Sequence, residues 1–284
     1  MIAFPNCKIN LGLNIVGKRN DGYHNLETVF YPLDLRDAIE IVEEKSTQNT
    51  MPDSDSYRDQ FSISGLKVEG DVENNICVKA YHLLKKDFPD LPPVKMHLHK
   101  TIPSGAGLGG GSADGAFTLK LLNKKFNLNL TENKLLEYAL LLGSDCPFFI
   151  INKPCFAEGR GELMQEIEVE LSAYKILIVY PGIHINTSEA FSNIKPGVNK
   201  KSISEIIKQP IASWQEELYN DFEKPVFNQY PEIKKIKEKL YNAGAIYSSM
   251  SGSGSSVYGF FEKEKVVQVS FPENYMVKEL FCQF

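Results

Sequence analysis

Alternating apolar and polar residues open the chain and predict a β-strand. In KINLGLN, residues 8–14, the apolar residues occupy every second position and share one face, whereas Lys8, Asn10 and Asn14 share the other. This pattern is typical of a half-buried strand. Its polar face is therefore expected to be free to line a cleft.

The following segments predict a hairpin and then a mixture of strands and helices. Asp21-Gly22 is a turn signal between the first strand and the strand-like YHNLETVFYPLDL. Thr131 and Gly143 are placed to cap a helix over TENKLLEYALLLG. The other patterns predict strands over 38–43 and 61–68, an exposed loop over 45–60, a helix over 75–88, a strand over 94–102, a helix over 113–126, a strand over 175–182, short helices near 202–208, 213–222 and 231–242, and strands on both sides of SGSGSS at 251–256.

This mixture favours an α+β fold with two domains. The chain has 284 residues, and domains average roughly 150 residues. The strands and helices do not alternate as regular βαβ units, and no fixed repeat is visible. We place the domain boundary near residue 154, where the pattern restarts after Lys153-Pro154.

Composition narrows the class of partner. Lys and Arg total 31 against 36 Asp and Glu, so the net charge of -5 gives no general attraction to nucleic acid or to an anionic membrane. No apolar run approaches the roughly 20 residues of a membrane span. The five cysteines are spread out without a CxxC pair, which favours a reducing, cytoplasmic setting over a disulfide framework or a zinc site.

The glycine-rich segment 103–116, PSGAGLGGGSADGA, predicts a phosphate site. It lies between a predicted strand and a predicted helix, and its glycines allow backbone N–H groups to approach an anion closely. A Walker A motif that starts at Gly105 would need lysine at Gly111. A dinucleotide fingerprint fits poorly, because Glu132, about 20 residues on, opens a helix instead of ending a strand. Ser112 is a candidate cap for the following helix.

A second cluster, SGSGSS at 251–256, predicts a tight hairpin turn by itself. Together with the glycine-rich segment, it is a candidate to close the phosphate site from the other domain.

Three segments, in this order, resemble the motifs of the GHMP kinase superfamily of small-molecule ATP kinases: PNCKINLGLNIVGKRNDGYH, PSGAGLGGGSADGA and SGSGSSVYGFF. The resemblance runs from Pro5 to about Phe261. It implies a two-domain fold with an N-terminal domain like ribosomal protein S5 over 1–154, holding the ATP loop and catalytic pair. A ferredoxin-like C-terminal domain over 155–284 would supply a substrate wall.

The resemblance also implies a catalytic pair, Lys8 and Asp145. Alone, Lys8 suggests a solvated strand lysine and Asp145 in GSDCPFF a turn residue. In the family positions that they match, Asp145 would accept the proton of the attacking hydroxyl. Lys8 would orient that hydroxyl and stabilise charge near the γ-phosphate. Cys146, beside Asp145, suggests sensitivity to thiol reagents.

The segments KINLGLNIVGKRNDGYHNLETVF, GSDCPFFI and PGIHINTSEAF narrow the resemblance to the superfamily branch that serves isoprenoid-precursor biosynthesis, whose small-molecule substrate is a cytidyl-linked methylerythritol. The matching substrate positions would stack the base on aromatic rings and read its polar edge. Alone, Tyr23 and Phe191 suggest packing residues and His24 a partly buried one. The substrate candidates are Asn10, Tyr23, His24, Thr187 and Phe191.

The cofactors implied are ATP and Mg²⁺. The ATP candidates are Pro103, Ser104, Gly105, Ala106, Gly107, Leu108, Gly109, Gly110, Gly111, Ser112 and Ala113, with Lys100 as a weaker candidate near the nucleoside. Ser112 can offer an oxygen to Mg²⁺, but the sequence names no metal site.

Two alternatives stay open. One is another kinase of the superfamily that acts on homoserine, mevalonate or a sugar, which offers no cytosine to stack on. The other is a non-catalytic nucleotide-binding module, which would predict a damaged catalytic pair, yet Lys8 and Asp145 are both present. The sequence leaves open whether the protein is a monomer or a homodimer.

Overall fold

The computed structural model describes residues 1–20, 22, 24–44, 60–186, 190, 194 and 201–283. Their contacts divide the chain into two compact units, each built from several segments. The first unit comprises Met1–Cys7, Leu35–Ser104 and Gly110–Asn152. The second comprises Lys8–Asp34, Gly105–Gly109 and Lys153–Phe284.

Strands and helices are mixed along the chain, as the sequence predicts. The strands are β1 (Ile2–Ala3), β2 (Asn6–Lys18), β3 (His24–Arg36), β4 (Ala38–Glu43), β5 (Phe61–Gly65), β6 (Val94–Lys100), β7 (Cys155–Glu158), β8 (Leu163–Glu166), β9 (Tyr174–Tyr180), β10 (Tyr247–Met250), β11 (Val257–Glu262) and β12 (Met276–Phe281). The α-helices are α1 (Ile76–Asp87), α2 (Gly110–Lys125), α3 (Glu132–Leu142), α4 (Cys146–Ile151), α5 (Ile203–Ile206), α6 (Trp214–Glu217), α7 (Glu223–Gln229) and α8 (Pro231–Asn242).

The first unit is a four-stranded sheet with helices. Its strand order is β1-β4-β6-β5, with β4 and β6 antiparallel and β5 and β6 parallel. Strand β6 alternates: Val94, Met96 and Leu98 are buried, and Lys95 and His99 are exposed. Helix α2 packs against α1, α3 and α4. This packing fixes the helix that follows the glycine-rich segment.

The second unit contains two four-stranded sheets, in the orders β2-β3-β7-β8 and β10-β11-β9-β12. A hydrophobic core joins residues of β2, β9, β11 and α8, among them Leu13, Val179 and Ile236. The order β2-β3 confirms the predicted pairing of the first two strands. The SGSGSS segment connects β10 to β11, which pair antiparallel from Met250↔Val257, so the predicted hairpin turn is also confirmed.

The predicted ends of α3 are confirmed. The hydroxyl of Thr131 accepts a hydrogen bond from the Lys134 N–H at 3.3 Å, and Gly143 follows the last turn. The start of α2 differs from the prediction: the helix begins at Gly110, so Ser112 lies inside its first turn and does not cap it. Residues 45–59 of the predicted loop lie outside the described residues.

The expected domains, 1–154 and 155–284, stay a prediction. The two compact units are defined by contacts, and the second unit combines segments from both sides of residue 154. No helix among the described residues combines the length and the apolar character that crossing a membrane requires.

Candidate active site

Strand β2 is buried on both faces, which corrects the prediction of an open polar face. Lys8 is 3% exposed and Asn10 2%, and Asn14 is equally enclosed. Buried polar groups need hydrogen-bond partners, since an unpaired one costs about 1–3 kcal/mol. The surroundings of β2 therefore decide what Lys8 and Asn10 can do.

Lys8 is held from three directions within the second unit. Its ammonium donates a hydrogen bond to Asn10 Oδ1 at 2.6 Å. The same nitrogen lies 4.9 Å from the centroid of the Phe30 ring, within cation–π distance. Its backbone N–H donates to the carbonyl of Leu108 at 2.9 Å. The backbone of Lys8 is thus tied to the glycine-rich segment, while its ammonium is held by Asn10 and Phe30.

Glycine is required in this segment by backbone conformation and by close contact. Gly105, Gly107 and Gly109 have φ of +66°, +77° and +71°, the left-handed region that side chains disfavour. A Cβ on Gly107 would lie 2.1 Å from the carbonyl oxygen of Ser251. The glycine at 107 thus lets two backbone segments touch.

The SGSGSS turn is hydrogen-bonded to the glycine-rich segment. Ser251 Oγ donates to the Gly107 carbonyl at 2.7 Å and accepts from the Asn10 N–H at 3.2 Å. The Ser256 N–H donates to the Ala106 carbonyl at 3.1 Å. These bonds join strand β2, residues 105–109 and the turn into one assembly in the second unit.

The first turn of α2 fits a phosphate group. The helix has 16 residues, so its unpaired N–H groups and positive dipole end favour an anion. Apart from its chain neighbours and its own helix backbone, no atom of the described residues lies within 4 Å of a Cβ built on Gly111, so the backbone there is open to close approach. Gly110 differs, because its Cβ would lie 2.7 Å from Ile102 Cγ2. These features fit the ATP role expected for the segment.

Lys100 lies in a buried ion cluster near the N-terminal end of this helix. Its ammonium donates to Asp37 and, at 2.7 Å, to Asp114 in α2. The other oxygen of Asp37 accepts from the Thr101 and Ile102 N–H groups. Lys100 is 2% exposed, which disfavours the nucleoside contact suggested for it. Its position indicates that it connects β6 to α2.

Burial shifts the pKa of Asp114, and the neighbouring charges modify that shift. Burial raises the pKa of its carboxyl to about 7, against the lowering effect of the Lys100 ammonium. For Lys100, burial acts to lower the pKa, but the two carboxylates outweigh it and the pKa is raised. Asp114 Oδ1 is buried, and no described residue provides it with a hydrogen bond. Nothing in the sequence identified Asp37 and Asp114, because both resemble ordinary turn and helix residues.

Asp145 directly precedes α4 in the first unit and is partly buried. Cys146, the first residue of that helix, is fully buried, and burial raises the pKa of its thiol to about 12. A thiol of this kind is unreactive at neutral pH, which counts against the suggested sensitivity to thiol reagents.

The predicted substrate residues are described only in part. Asn10 lies in β2, and His24 begins β3 in the same sheet and is partly buried. Tyr23, Thr187 and Phe191 lie outside the described residues. Across the described ranges, no group of three or more His, Cys, Asp and Glu side chains is arranged to hold a metal ion.

Comparison with known proteins supplies the family. The family described as GHMP kinases N terminal domain matches residues 75–153, and GHMP kinases C terminal matches residues 202–271. A relative from Bacteroides fragilis is 54% identical over 272 residues, 95% of this chain and 96% of the relative. The chain belongs to the GHMP kinase family. As a GHMP kinase it is an ATP-dependent small-molecule kinase, and the expected fold class is confirmed.

Several proteins similar to this chain are named as the same enzyme. The Bacteroides fragilis relative is named 4-diphosphocytidyl-2-C-methyl-D-erythritol kinase. So is a relative from Porphyromonas gingivalis, 43% identical over 93% of this chain and 93% of its own length. A solved structure of 4-(cytidine 5'-diphospho)-2C-methyl-D-erythritol kinase matches with a TM-score of 0.75 and 27% identity, covering 91% of this chain and 89% of that one.

More distant GHMP structures share the fold. A mevalonate kinase from Methanococcus jannaschii matches with a TM-score of 0.63 and 17% identity, covering 100% of this chain and 98% of that one. At this identity the likeness speaks for the fold alone.

Proposed function

We propose that this GHMP kinase transfers the γ-phosphoryl group of ATP to the 2-hydroxyl of 4-diphosphocytidyl-2-C-methyl-D-erythritol, a step of the methylerythritol phosphate pathway to isoprenoid precursors. One observation supports this substrate. Relatives that are 43 to 54% identical over more than nine-tenths of the chain are named for it. The intact Lys8 and glycine-rich segment support catalysis over a binding-only module.

The proposed chemistry uses two side chains. Asp145 accepts the proton of the attacking hydroxyl as general base. Lys8 orients that hydroxyl and stabilises the negative charge that develops on the transferred group. The hydrogen bond from Lys8 Nζ to Asn10 Oδ1, at 2.6 Å, supports this role, because it fixes the direction of the ammonium.

The proposed nucleotide site is residues 103–113. The N–H groups in the first turn of α2 bind the phosphates of ATP, and the open space at Gly111 admits them. Mg²⁺, which neutralises phosphate charge in such reactions, is expected to take most of its ligands from phosphate and water. The hydroxyl of Ser112 is proposed to join them.

The proposed substrate residues are those that match the family's base-binding positions. Tyr23 and Phe191 stack on the cytosine ring, and His24 reads its polar edge. Asn10 and Thr187 complete the proposed set. These residues separate the proposal from a homoserine, mevalonate or sugar kinase, whose substrates carry no base.

We further propose that the enzyme works in a reducing cytoplasm and needs no nucleic acid or membrane. All five cysteines lie among the described residues, and each is buried and outside any disulfide, which supports this setting.

The test is ADP release from ATP and Mg²⁺ with a panel of alcohols. The panel contains the cytidyl-linked methylerythritol, methylerythritol without the cytidyl group, homoserine, mevalonate and galactose. Turnover confined to the cytidyl compound is expected. Turnover with another alcohol would replace the substrate assignment, and none at all would favour the binding module.

A further inference from the structure

A buried chain of hydrogen bonds leads from Lys8 to Thr28, a residue to which no role has been given. Lys8 Nζ donates to Asn10 Oδ1 at 2.6 Å, and Asn10 Nδ2 donates to Thr28 Oγ1 at 2.9 Å. The Thr28 hydroxyl donates in turn to the Gly12 carbonyl at 2.6 Å. Lys8, Asn10 and Thr28 are each no more than 3% exposed. Water therefore has little access to replace any of these bonds.

The chain has a fixed direction. Because the Thr28 O–H is committed to a carbonyl, its oxygen can only accept from Asn10. That requirement turns the amide NH₂ of Asn10 toward Thr28 and its oxygen toward the ammonium. In the flipped amide, an NH₂ group would face the Lys8 ammonium, donor against donor. Thr28 thus selects the amide orientation that Lys8 needs.

Thr28 acts on the side chain of Asn10 and leaves its backbone to other partners. The Asn10 N–H donates to Ser251 Oγ at 3.2 Å, and the Asn10 carbonyl accepts from the Tyr258 hydroxyl at 2.7 Å. The bonds between Ser251 and the glycine-rich segment do not pass through Thr28. A change at Thr28 should therefore alter the Lys8 ammonium more than the nucleotide loop.

We propose that Thr28 is a positioning residue for phosphoryl transfer: through Asn10 it sets the position of the Lys8 ammonium. This inference rests on the proposed function. The Thr28→Val variant keeps the shape of the side chain but removes both its donor and its acceptor, so the amide of Asn10 loses its partner and its fixed orientation.

Steady-state kinetics of Thr28→Val and Thr28→Ser with the cytidyl-linked substrate provide the test. We expect Thr28→Val to lower kcat by at least about tenfold, since a displacement of roughly 1 Å at a reacting group costs up to about a hundredfold. KM for ATP should change by less than about twofold. Thr28→Ser retains the hydroxyl and should recover kcat to within about threefold of wild type.

The matched control is Thr118→Val, which removes another fully buried threonine hydroxyl, one that donates to the Asp114 carbonyl at 2.7 Å. It should leave kcat within about twofold. Equal kcat for Thr28→Val and wild type would overturn the proposal, as would a serine variant as slow as the valine variant. If Thr28→Val fails to fold, Thr28→Cys, a weak donor and acceptor of similar size, must show the same kcat loss. Inactive wild-type enzyme would instead refute the proposed function.

Discussion

The buried cluster of Lys100, Asp37 and Asp114 gives a stability prediction whose size follows from the structure. Lys100→Met replaces the ammonium by an apolar group of similar length. The side chains of all three residues are at most 3% exposed, so solvent screens the charges poorly. The substitution leaves two buried carboxylates without their cation.

Removing one partner of a buried ion pair costs about 3–5 kcal/mol. Two features of this cluster reduce that cost. Burial already raises the pKa of Asp114 to about 7, so this carboxyl takes up a proton once Lys100 is gone. Asp37 keeps the N–H groups of Thr101 and Ile102, at 2.6 and 2.9 Å. We therefore expect the free energy of unfolding to fall by about 3 kcal/mol, the lower end of the range.

Urea denaturation at pH 7, followed by circular dichroism, measures this loss. Lys134→Met is the matched control, because Lys134 is half exposed and its ion pair with Glu137 lies at the surface. The control should lose far less stability than Lys100→Met, because solvent screens a surface ion pair. If Lys100→Met were no less stable than Lys134→Met, the buried cluster would not stabilise the connection of α2 to β6.

Three further predictions concern the site and its charges. Asp145→Asn should lower kcat by at least about a hundredfold with ATP affinity largely kept, as expected for loss of a general base; unchanged kinetics would remove Asp145 from the mechanism. Gly111→Ala should leave the melting temperature unchanged or higher, since alanine favours helix. The same variant should raise KM for ATP at least about tenfold, and an unchanged KM would contradict phosphate binding at this position. Because the pKa of Asp114 is raised to about 7, folded protein keeps a proton that unfolded protein releases above about pH 4. The stability that this proton contributes is present below pH 4 and is lost as the pH rises through 7. The free energy of unfolding of wild type should therefore fall more between pH 5 and 8 than that of Asp114→Asn. Equal losses in urea titrations would refute this.

Local patterns predicted the elements whose causes are local. The caps of α3 depend on residues next to the helix, Thr131 and Gly143, and both were found from the sequence. The predicted start of α2 is wrong because tertiary contacts also act on this part of the chain. Gly110 is a poor helix former, so propensity places the start later in the chain, whereas its missing Cβ lets the first turn pack against Ile102, whose Cγ2 would lie 2.7 Å from that Cβ.

The polar face of β2 shows a second feature that local sequence patterns do not predict. Alternation predicts which side chains share a face but not what covers that face. In the structure, Ser251 and Leu108 bind the β2 backbone at Asn10 and Lys8 and help to enclose the polar side chains. Residues separated by about a hundred or more positions thus turn an expected cleft wall into a buried network, and no local pattern carries that information.

The glycines of segment 105–111 also differ in what requires them, although the sequence presents them as one motif. Gly107 is required by the Ser251 carbonyl and Gly110 by Ile102, so protein contacts alone account for both. Gly111 has neither a left-handed φ nor a neighbour within 4 Å of a built Cβ. Since a Cβ tilts toward the N-terminal end of its helix, a side chain there would occupy the space beside the unpaired N–H groups of α2. Among the described residues no contact requires glycine at 111; the proposed phosphate site would supply a reason, because an anion has to approach those N–H groups closely.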